Sequence, residues 1–311
     1  MEILRPSPSI CGPSESETSH DDPPKVDCGS ARAIVCSRTN ARASLANMTT
    51  SSSAPASFND EVDRLIVATG SMLCVGLDPH PDRVDGSLLD FCRRIIDATW
   101  EVAVAYKPNS AFFEAAGQQG LEDLRQLERH VPDDRLLVLD AKRGDIGSTA
   151  AAYARAAFHV FGADAVTVSP YLGGDGVSPF LADPSRGAFV LCHTSNPGAA
   201  DLQHLDVGGE PLYLQVARRA ARDWNRSGNV GLVVGATYAE EMARVRDAAP
   251  ELPLLVPGIG TQGGDLRAAV RAGADANGRG LLVSSSREII FADDPRAVAQ
   301  RTRDAIEAAI R

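Results

Sequence analysis

The stretch from Leu136 to Ser169 reads LLVLDAKRGDIGSTAAAYARAAFHVFGADAVTVS, and it decides the fold class. Its two ends, Leu136–Lys142 and Ala165–Ser169, are rich in Val and Leu and largely lack polar alternation. Such runs are typical of parallel strands that are buried on both faces. The stretch between them, Gly147–Phe161, is helix-like. The region therefore predicts a strand, a helix and a second strand.

The same alternation continues from Phe58 to the end of the chain. The predicted strands are Met72–Leu77, Val102–Lys107, Leu136–Lys142, Ala165–Ser169, Ala188–His193, Val230–Val234, Pro253–Val256 and Gly280–Ser284. The predicted helices include Gly120–His130, Gly147–Phe161, Pro211–Arg226, Ala239–Ala249 and Leu266–Ala272. Eight strands with intervening helices favour a single-domain (β/α)8 barrel over a doubly wound sheet. Active residues are then expected at the carboxyl ends of the strands.

Composition narrows the functional classes. The chain has 311 residues, 44% of them hydrophobic, and a formal net charge of −10. It has no Lys- or Arg-rich run, which argues against nucleic-acid binding through phosphate contacts, whereas a small anionic substrate needs only a few local cations. The six cysteines form no CxxC pair, and no apolar run approaches the ~20 residues that cross a bilayer. We therefore expect a reduced, cytoplasmic protein without membrane contact, with Cys74, Cys92 and Cys192 as buried thiols.

Residues 1–57 differ from the rest of the chain, which forms the predicted barrel domain, 58–311. They are rich in Ser, Pro, Thr and Ala and have neither helical nor strand periodicity, which predicts a disordered extension. A transit peptide is one reading, but the acidic residues in this segment argue against it. An over-extended start, with the natural one at Met48, is the alternative that we favour.

A charged cluster follows the second and third predicted strands. Asp140 and Lys142 leave the third strand on the same face, because side chains alternate along a strand. Lys107 ends the second strand, and Asp145 lies in the loop after the third. Charged residues at strand ends are often merely solvated, but charges this close must alternate in sign to be tolerated away from water. The pattern therefore favours a functional network.

The loops after the last two predicted strands indicate a phosphate site. Strand seven runs into the glycine-rich segment Pro257–Asp265, which precedes a predicted helix whose N-cap is Asp265. Glycines allow close approach of the backbone to an anion, and helix N–H groups can donate to it. Strand eight ends with three serines and Arg287, whose guanidinium suits a phosphate group. Barrels frequently bind phosphate at this position, so we expect a phosphorylated substrate.

These residues resemble those of the orotidine 5'-phosphate decarboxylases. Asp140–Ile146 (DAKRGDI) looks like the DxKxxD signature of the family. Further motifs resemble its longer bacterial branch, the type 2 subfamily: Gly76–Pro79, Lys107–Glu114, Thr194–Gly198 and Ala276–Leu282. The resemblance covers roughly Phe58 to Arg311 and places a motif at nearly every strand end.

The resemblance implies an activity and a set of roles. The activity is the conversion of orotidine 5'-monophosphate to UMP and CO2 in pyrimidine biosynthesis, without a metal or an organic cofactor. The implied catalytic residues are Lys107, Asp140, Lys142 and Asp145. The implied substrate-binding residues are Asp78 for the ribose, Ser195 for the pyrimidine, Gly258, Gly260, Gln262 and Arg287 for the phosphate, and Thr149. The family is dimeric, with Asp145 and Thr149 completing the neighbouring site and with a lid after Gly198.

Two rival functions remain open. One is a sugar-phosphate decarboxylase or aldolase of the same superfamily that requires Mg²⁺. Such relatives carry an acidic residue where this chain has Lys107, which would oppose a metal ion. The other is an inactive barrel that binds nucleotides as a sensor, although a pure binder has no need of the Lys107, Asp140, Lys142 and Asp145 array.

Overall fold

A computed structural model describes residues 57–259 and 265–311 of the chain. Eight parallel strands close into a barrel in sequence order, β1 to β8, and β8 pairs with β1. The strands are β1 Leu73–Leu77, β2 Ala105–Pro108, β3 Leu136–Arg143, β4 Ala165–Val168, β5 Gly187–His193, β6 Val230–Val234, β7 Leu254–Pro257 and β8 Leu281–Ser285. The predicted (β/α)8 barrel is confirmed, and each strand lies within a few residues of its predicted bounds.

The helices pack around the barrel in alternation with the strands. They are α1 Phe58–Thr69, α2 Leu88–Thr99, α3 Ser110–Ala115, α4 Gly117–Leu127, α5 Gly147–Arg155, α6 Gly174–Val177, α7 Leu212–Arg219, α8 Ala239–Ala248, α9 Leu266–Gly273, α10 Arg287–Ile290 and α11 Pro295–Ile310. Two predicted helices continue as π-helical turns, Ala156–Val160 after α5 and Ala220–Trp224 after α7. Asp265 caps α9 by accepting a hydrogen bond from the backbone N–H of Ala268, as predicted.

The barrel core consists of the apolar strand residues themselves. Every residue of β1, β2, β4, β6 and β8 is buried, which explains why these strands show no alternation of polar and apolar residues. The free thiols of Cys74, Cys92 and Cys192 are buried as predicted. Burial raises the pKa of the Cys74 thiol to about 12, so this thiol stays protonated at neutral pH.

One irregularity in the sheet has consequences for the site. Along β3 and β4, Leu139 pairs with Val166, but Arg143 pairs with Val168, so the register shifts between these positions. Three β3 residues, Asp140 to Lys142, therefore face the single β4 residue Thr167. A bulge of this kind bends the strand and redirects its side chains.

The N-terminal predictions concern mostly residues outside the described part. The predicted disordered extension, residues 1–57, and the alternative start at Met48 lie outside the described residues, and Ser57 is the one residue of that segment that the structure describes. Ser57 is the N-cap of α1, and its side chain forms a reciprocal capping box with Asp60. None of the helices in the two described ranges combines the length and apolar character needed to span a membrane.

Candidate active site

A cavity of about 470 Å³ opens at the carboxyl ends of the strands. Residues from all eight strands or the loops that follow them line it: Asp78, Lys107, Asn109, Asp140, Lys142, Thr167, Leu191, Thr194, Ser195, Asn196, Gln203, Val233, Leu255, Pro257, Gly258, Ile259, Ser284, Ser286 and Arg287. The site therefore lies where the barrel predicts it. Of the predicted site residues, the cavity unites Asp78, Lys107, Asp140, Lys142, Ser195, Gly258 and Arg287.

Asp140 is the centre of the charged cluster. Its Oδ2 accepts a hydrogen bond of 2.9 Å from Nζ of Lys107, and its Oδ1 accepts one of 2.6 Å from Nζ of Lys142. The side chain of Lys107 is 5% exposed, whereas that of Lys142 is 51% exposed. The two ammonium groups therefore differ in access: Lys107 is buried beside Asp140, and Lys142 reaches into the cavity.

The electrostatics of this cluster keep it charged. Burial alone raises the pKa of Asp140, but the charges of Lys107 and Lys142 outweigh it and hold that pKa well below its ordinary value. Burial likewise lowers the pKa of Lys107, and the charges of Asp140 and Asp78 reverse this and raise that pKa. A carboxylate between two ammonium groups is thus the stable state at neutral pH.

Lysine is rare in this chain, which makes its use at the site specific. The full sequence has three lysines, Lys25, Lys107 and Lys142, against 31 basic Lys and Arg residues in total. Both lysines of the described ranges contact Asp140, and the other cations there are arginines or histidines. An ammonium can give up a proton, whereas a guanidinium stays protonated in proteins. Lys142, at the cavity surface, can therefore give up a proton, which an arginine in its place could not.

Asp78 lies directly after β1, the strand that pairs with β2, and so on the Lys107 side of the cavity. Its Oδ1 is buried and finds no hydrogen-bond partner in the described part of the chain. A buried carboxylate oxygen without a partner is costly, so it fits a ligand that brings its own donor. A hydroxyl group of the substrate would satisfy it.

The predicted phosphate site is partly within the described residues. Arg287 and the serines Ser284 and Ser286 line the cavity beside Gly258. Gly258 has φ of +96°, a conformation that favours glycine and exposes the backbone to a ligand. Gly260 and Gln262, the other two predicted phosphate contacts, lie outside the described residues.

The loop after β5 forms another wall of the cavity. Ser195 lines it, and Gln203 holds the loop by accepting from the N–H of Thr194 and donating to its hydroxyl group. Close packing against β6 fixes this wall, since a Cβ at Gly235 would lie 2.8 Å from the backbone nitrogen of Ser195. His193, the last residue of β5, is not among the residues that line the cavity. It is buried against Tyr213 and Tyr238.

Asp145 and Thr149 are not part of this cavity in the single chain. Asp145 accepts a hydrogen bond from the N–H of Ile146 with its Oδ1, at 2.8 Å, and Thr149 is exposed on α5. The charged array that the structure brings together is therefore Lys107, Asp140 and Lys142, without Asp145. After the bulge, Arg143 rejoins the ladder opposite Val168, and Asp145 lies beyond the end of β3.

Several lining residues escaped the sequence prediction of site roles. Asn109 forms an isolated β-bridge with Asp140 and follows Lys107 by two residues, so it was within reach of the strand-end argument. Thr194 belongs to the Thr194–Gly198 motif and could have been found through it, whereas Gln203 lies beyond that motif. Thr167 carries no signal in the sequence, because a Thr within an apolar strand is ordinary. Within the described ranges, no three His, Cys, Asp or Glu residues are grouped to hold a metal ion.

The fold and the cavity define a (β/α)8-barrel enzyme with a Lys–Asp–Lys array at its mouth. The chain belongs to the orotidine 5'-phosphate decarboxylase / HUMPS family, whose model matches residues 71–302. The resemblance drawn from the motifs is thereby confirmed. Decarboxylases of this family are carboxy-lyases.

Individual relatives agree with the family match. The chain is 50% identical over 266 residues to an orotidine 5'-phosphate decarboxylase from Dechloromonas aromatica, covering 80% of this chain and 98% of that protein. It is 48% identical to the OMP decarboxylase of Leishmania donovani, with a TM-score of 0.76 and coverage of 82% and 99%. It also matches the UMP synthase of that organism, at 49% identity and a TM-score of 0.78, covering 82% of this chain and 56% of that longer one.

Proposed function

We propose that the protein converts orotidine 5'-monophosphate to UMP and CO2 without a metal or an organic cofactor. The observation that carries this function is the array in which Lys107 and Lys142 contact opposite oxygens of Asp140. This array supplies a fixed ammonium group at the cavity surface and no acidic cluster suited to Mg²⁺. It therefore favours decarboxylation over the metal-dependent chemistry of sugar phosphates.

Lys142 is the residue that acts on the reacting carbon. Breaking the bond from C6 of the pyrimidine to the carboxylate releases CO2 and leaves the electron pair on C6. An ammonium group held beside C6 stabilises that charge as it develops, without needing to reorganise. Lys142 then donates a proton to C6, which gives UMP, and regains a proton from water. Its half-exposed side chain is compatible with contact to both substrate and solvent.

Asp140 and Lys107 hold Lys142 ready for this step. Asp140 accepts the hydrogen bond from Lys142 and so fixes the position of its ammonium group, and Lys107 supplies the countercharge that keeps Asp140 ionised after burial. A neutral carboxyl group would provide no opposite charge for either ammonium group. We assign Lys107, Asp140 and Lys142 to catalysis on this basis.

The remaining cavity residues bind parts of the substrate distant from C6. The unsatisfied oxygen of Asp78 suits a ribose hydroxyl, and Ser195 lies on the wall that would face the pyrimidine. Arg287 suits the phosphate, with Gly258 and, from the family pattern, Gly260 and Gln262. Binding energy gained at these groups can position the ring against Lys142 and close the loop after Gly198 over it.

The active form is a homodimer in this proposal, with Asp145 and Thr149 completing the site of the partner. Both residues lie outside the cavity of their own chain. Around them lie exposed apolar side chains that a second copy would cover: Ile146 at 56% exposure, Tyr153 at 37%, Tyr171 at 81% and Leu172 at 46%. Large exposed apolar patches mark association surfaces. A cytoplasmic location is consistent with the reduced thiols.

The reaction is tested by following the ultraviolet absorbance of orotidine 5'-monophosphate with purified protein in EDTA. Wild type is expected to consume the substrate. Lys142→Ala and Lys142→Arg are expected to lose at least about 10²- to 10³-fold in kcat, since the arginine keeps the charge but cannot give up a proton. A wild-type protein that leaves the absorbance unchanged would overturn the proposal, and sugar phosphates with Mg²⁺ would be tried next.

The shared site is tested by mixing two inactive variants. Lys142→Ala and Asp145→Asn are each expected to be inactive alone. In a mixed dimer, one site combines the intact Lys142 of one chain with the intact Asp145 of the other, so activity should return on co-refolding. A mixture that stays inactive, although mixed dimers are present by mass spectrometry, would contradict this arrangement.

A further inference from the structure

We propose that Thr167 is a positioning residue for catalysis, which fixes the backbone of Lys142 and the carboxylate of Asp140 through its hydroxyl group. Thr167 is in β4, is 1% exposed, and reaches the cavity wall directly behind the Lys–Asp–Lys array. This inference rests on the proposed decarboxylase function and adds a residue that acts through two others.

The bulge between β3 and β4 creates the need for this residue. In a regular parallel sheet, successive N–H groups point to opposite neighbouring strands, so the ladder would give only one of the N–H groups of Ala141 and Lys142 a partner in β4. The register shift places three β3 residues opposite Thr167 alone, so the ladder cannot serve these N–H groups. Buried backbone donors without a partner are costly and rare.

The hydroxyl group of Thr167 replaces the missing ladder. It accepts from the N–H of Ala141 at 3.0 Å and from the N–H of Lys142 at 2.9 Å, and it donates to Oδ1 of Asp140 at 3.0 Å. A hydroxyl group has one donor and two acceptor positions. All three are occupied, and all three partners belong to the segment that carries the catalytic charges.

The backbone at Lys142 requires such support. Lys142 is the non-glycine residue of the described ranges that has a positive φ, at +46°. Left-handed backbone is unfavourable for a residue with a side chain and persists only where the surroundings impose it. The bond from the N–H of Lys142 to Thr167 is one such constraint, and it determines where the lysine side chain leaves the strand.

The hydroxyl group also orients the carboxylate that holds Lys142. Oδ1 of Asp140 accepts from both Thr167 and Nζ of Lys142, and Oδ2 accepts from Lys107. Three donors, one each from β2, β3 and β4, thus fix the plane of the carboxylate. Without the hydroxyl group of Thr167, the carboxylate of Asp140 could rotate about its Cβ–Cγ bond and draw the ammonium group of Lys142 away from C6.

The test compares Thr167→Val with Thr167→Ser. Valine keeps the shape and loses the hydroxyl group, whereas serine keeps the hydroxyl group and loses a methyl. We expect Thr167→Val to lower kcat for orotidine 5'-monophosphate about 10- to 100-fold, as for loss of a hydrogen bond to a charged group, with KM changed less than about threefold. Thr167→Ser should retain kcat within a few-fold. Thr99→Val serves as the matched control, because Thr99 is a buried threonine that bonds Ile95 and Tyr106 away from the site.

The outcomes separate this inference from the proposed function. Inactive wild type would overturn the function itself. Active wild type with a Thr167→Val variant of equal kcat, or with a Thr167→Ser variant as impaired as valine, would overturn the role of the hydroxyl group. Equal losses of kcat in Thr99→Val and Thr167→Val would show a general packing effect and also overturn it. If the valine variant does not fold, Thr167→Cys replaces it, with kcat expected below that of serine.

Discussion

Lys107 and Asp140 form an ion pair of 2.9 Å in which the lysine side chain is 5% exposed and the aspartate side chain 12%. Each of the two residues ends or nearly ends a neighbouring strand, so the barrel itself brings them together. A buried pair of this kind is weak evidence for a gain in stability but strong evidence for a need to keep both charges. The charge of Asp140 is needed by Lys142, whose ammonium group binds the other oxygen of the same carboxylate.

Asp140→Asn should therefore destabilise the fold as well as abolish activity. The variant leaves Lys107 buried without an opposite charge, and we expect the free energy of unfolding to fall by about 3–5 kcal/mol. Urea denaturation at neutral pH measures this loss. The double variant Lys107→Met with Asp140→Leu removes both charges and should recover most of the stability while remaining inactive. An Asp140→Asn variant as stable as wild type would contradict the conclusion that buried Lys107 requires the charge of Asp140.

Asp78→Asn should impair binding rather than folding. The Oδ1 atom of Asp78 has no hydrogen-bond partner within the described ranges, so the change removes no hydrogen bond of that atom, and Asp140 remains as the countercharge in contact with Lys107. A lost hydrogen bond from a ribose hydroxyl to a charged acceptor costs about 1.5–3 kcal/mol, which is about 10- to 100-fold in kcat/KM. Thermal denaturation measures the effect on folding, and steady-state kinetics measure the effect on binding. A lowered Tm with unchanged kcat/KM would contradict the prediction.

Gly235→Ala should damage the wall that carries Ser195. The added Cβ would lie 2.8 Å from the backbone nitrogen and 2.9 Å from the Cβ of Ser195, which is closer than such contacts allow. Displacement of this backbone should raise KM for the nucleotide and cost about 1–3 kcal/mol of stability. Gly198→Ala is the control, in the loop after β5 that contains Ser195, because its Cβ would meet nothing nearer than 3.5 Å. Equal effects of the two variants would refute the packing argument.

Stability should decline as the pH falls below about 6.5 because of His193. Burial lowers the pKa of this histidine, and His204, 2.8 Å away between the Nε2 atoms, lowers it further, while Glu241 opposes both. The ring also packs on Tyr213 and Tyr238, and its Nδ1 is buried without a partner in the described ranges.

The direction follows from proton linkage. The unfolded chain binds a proton at its ordinary pKa of 6.5, and the folded chain binds it only at lower pH. Stability is therefore complete above pH 6.5 and is lost as the pH falls from there through the folded-state pKa. Urea midpoints from pH 8 to pH 5 should fall less steeply in His193→Gln than in wild type. The exposed His159→Gln is the control, and identical slopes in His193→Gln and wild type would exclude this histidine as the cause.

The sequence was sufficient for the architecture and for much of the site. Runs of Val and Leu without polar alternation mark strands buried on both faces, and eight of them with intervening helices leave few folds other than a barrel. In such a barrel, every strand delivers its last residues to the same rim. Lys107, Asp140, Lys142 and Arg287 could therefore be placed at that rim from strand order, whereas Asp78 was assigned to the site through the family resemblance.

The tertiary structure decided the contacts that depend on register between strands. The alternation of side chains that predicted Lys142 beside Asp140 assumes a regular strand. In the structure, Lys142 lies within a bulge, and its backbone has a left-handed conformation. The same bulge makes Thr167 the hydrogen-bond partner of the Asp140–Lys142 segment, and Asp145, beyond the end of β3, lies outside the cavity of its own chain. Periodicity along one strand reports which face is buried, but not how that strand is offset against its neighbour. The offset is set by packing of the whole barrel, so these relationships became visible only in the folded chain.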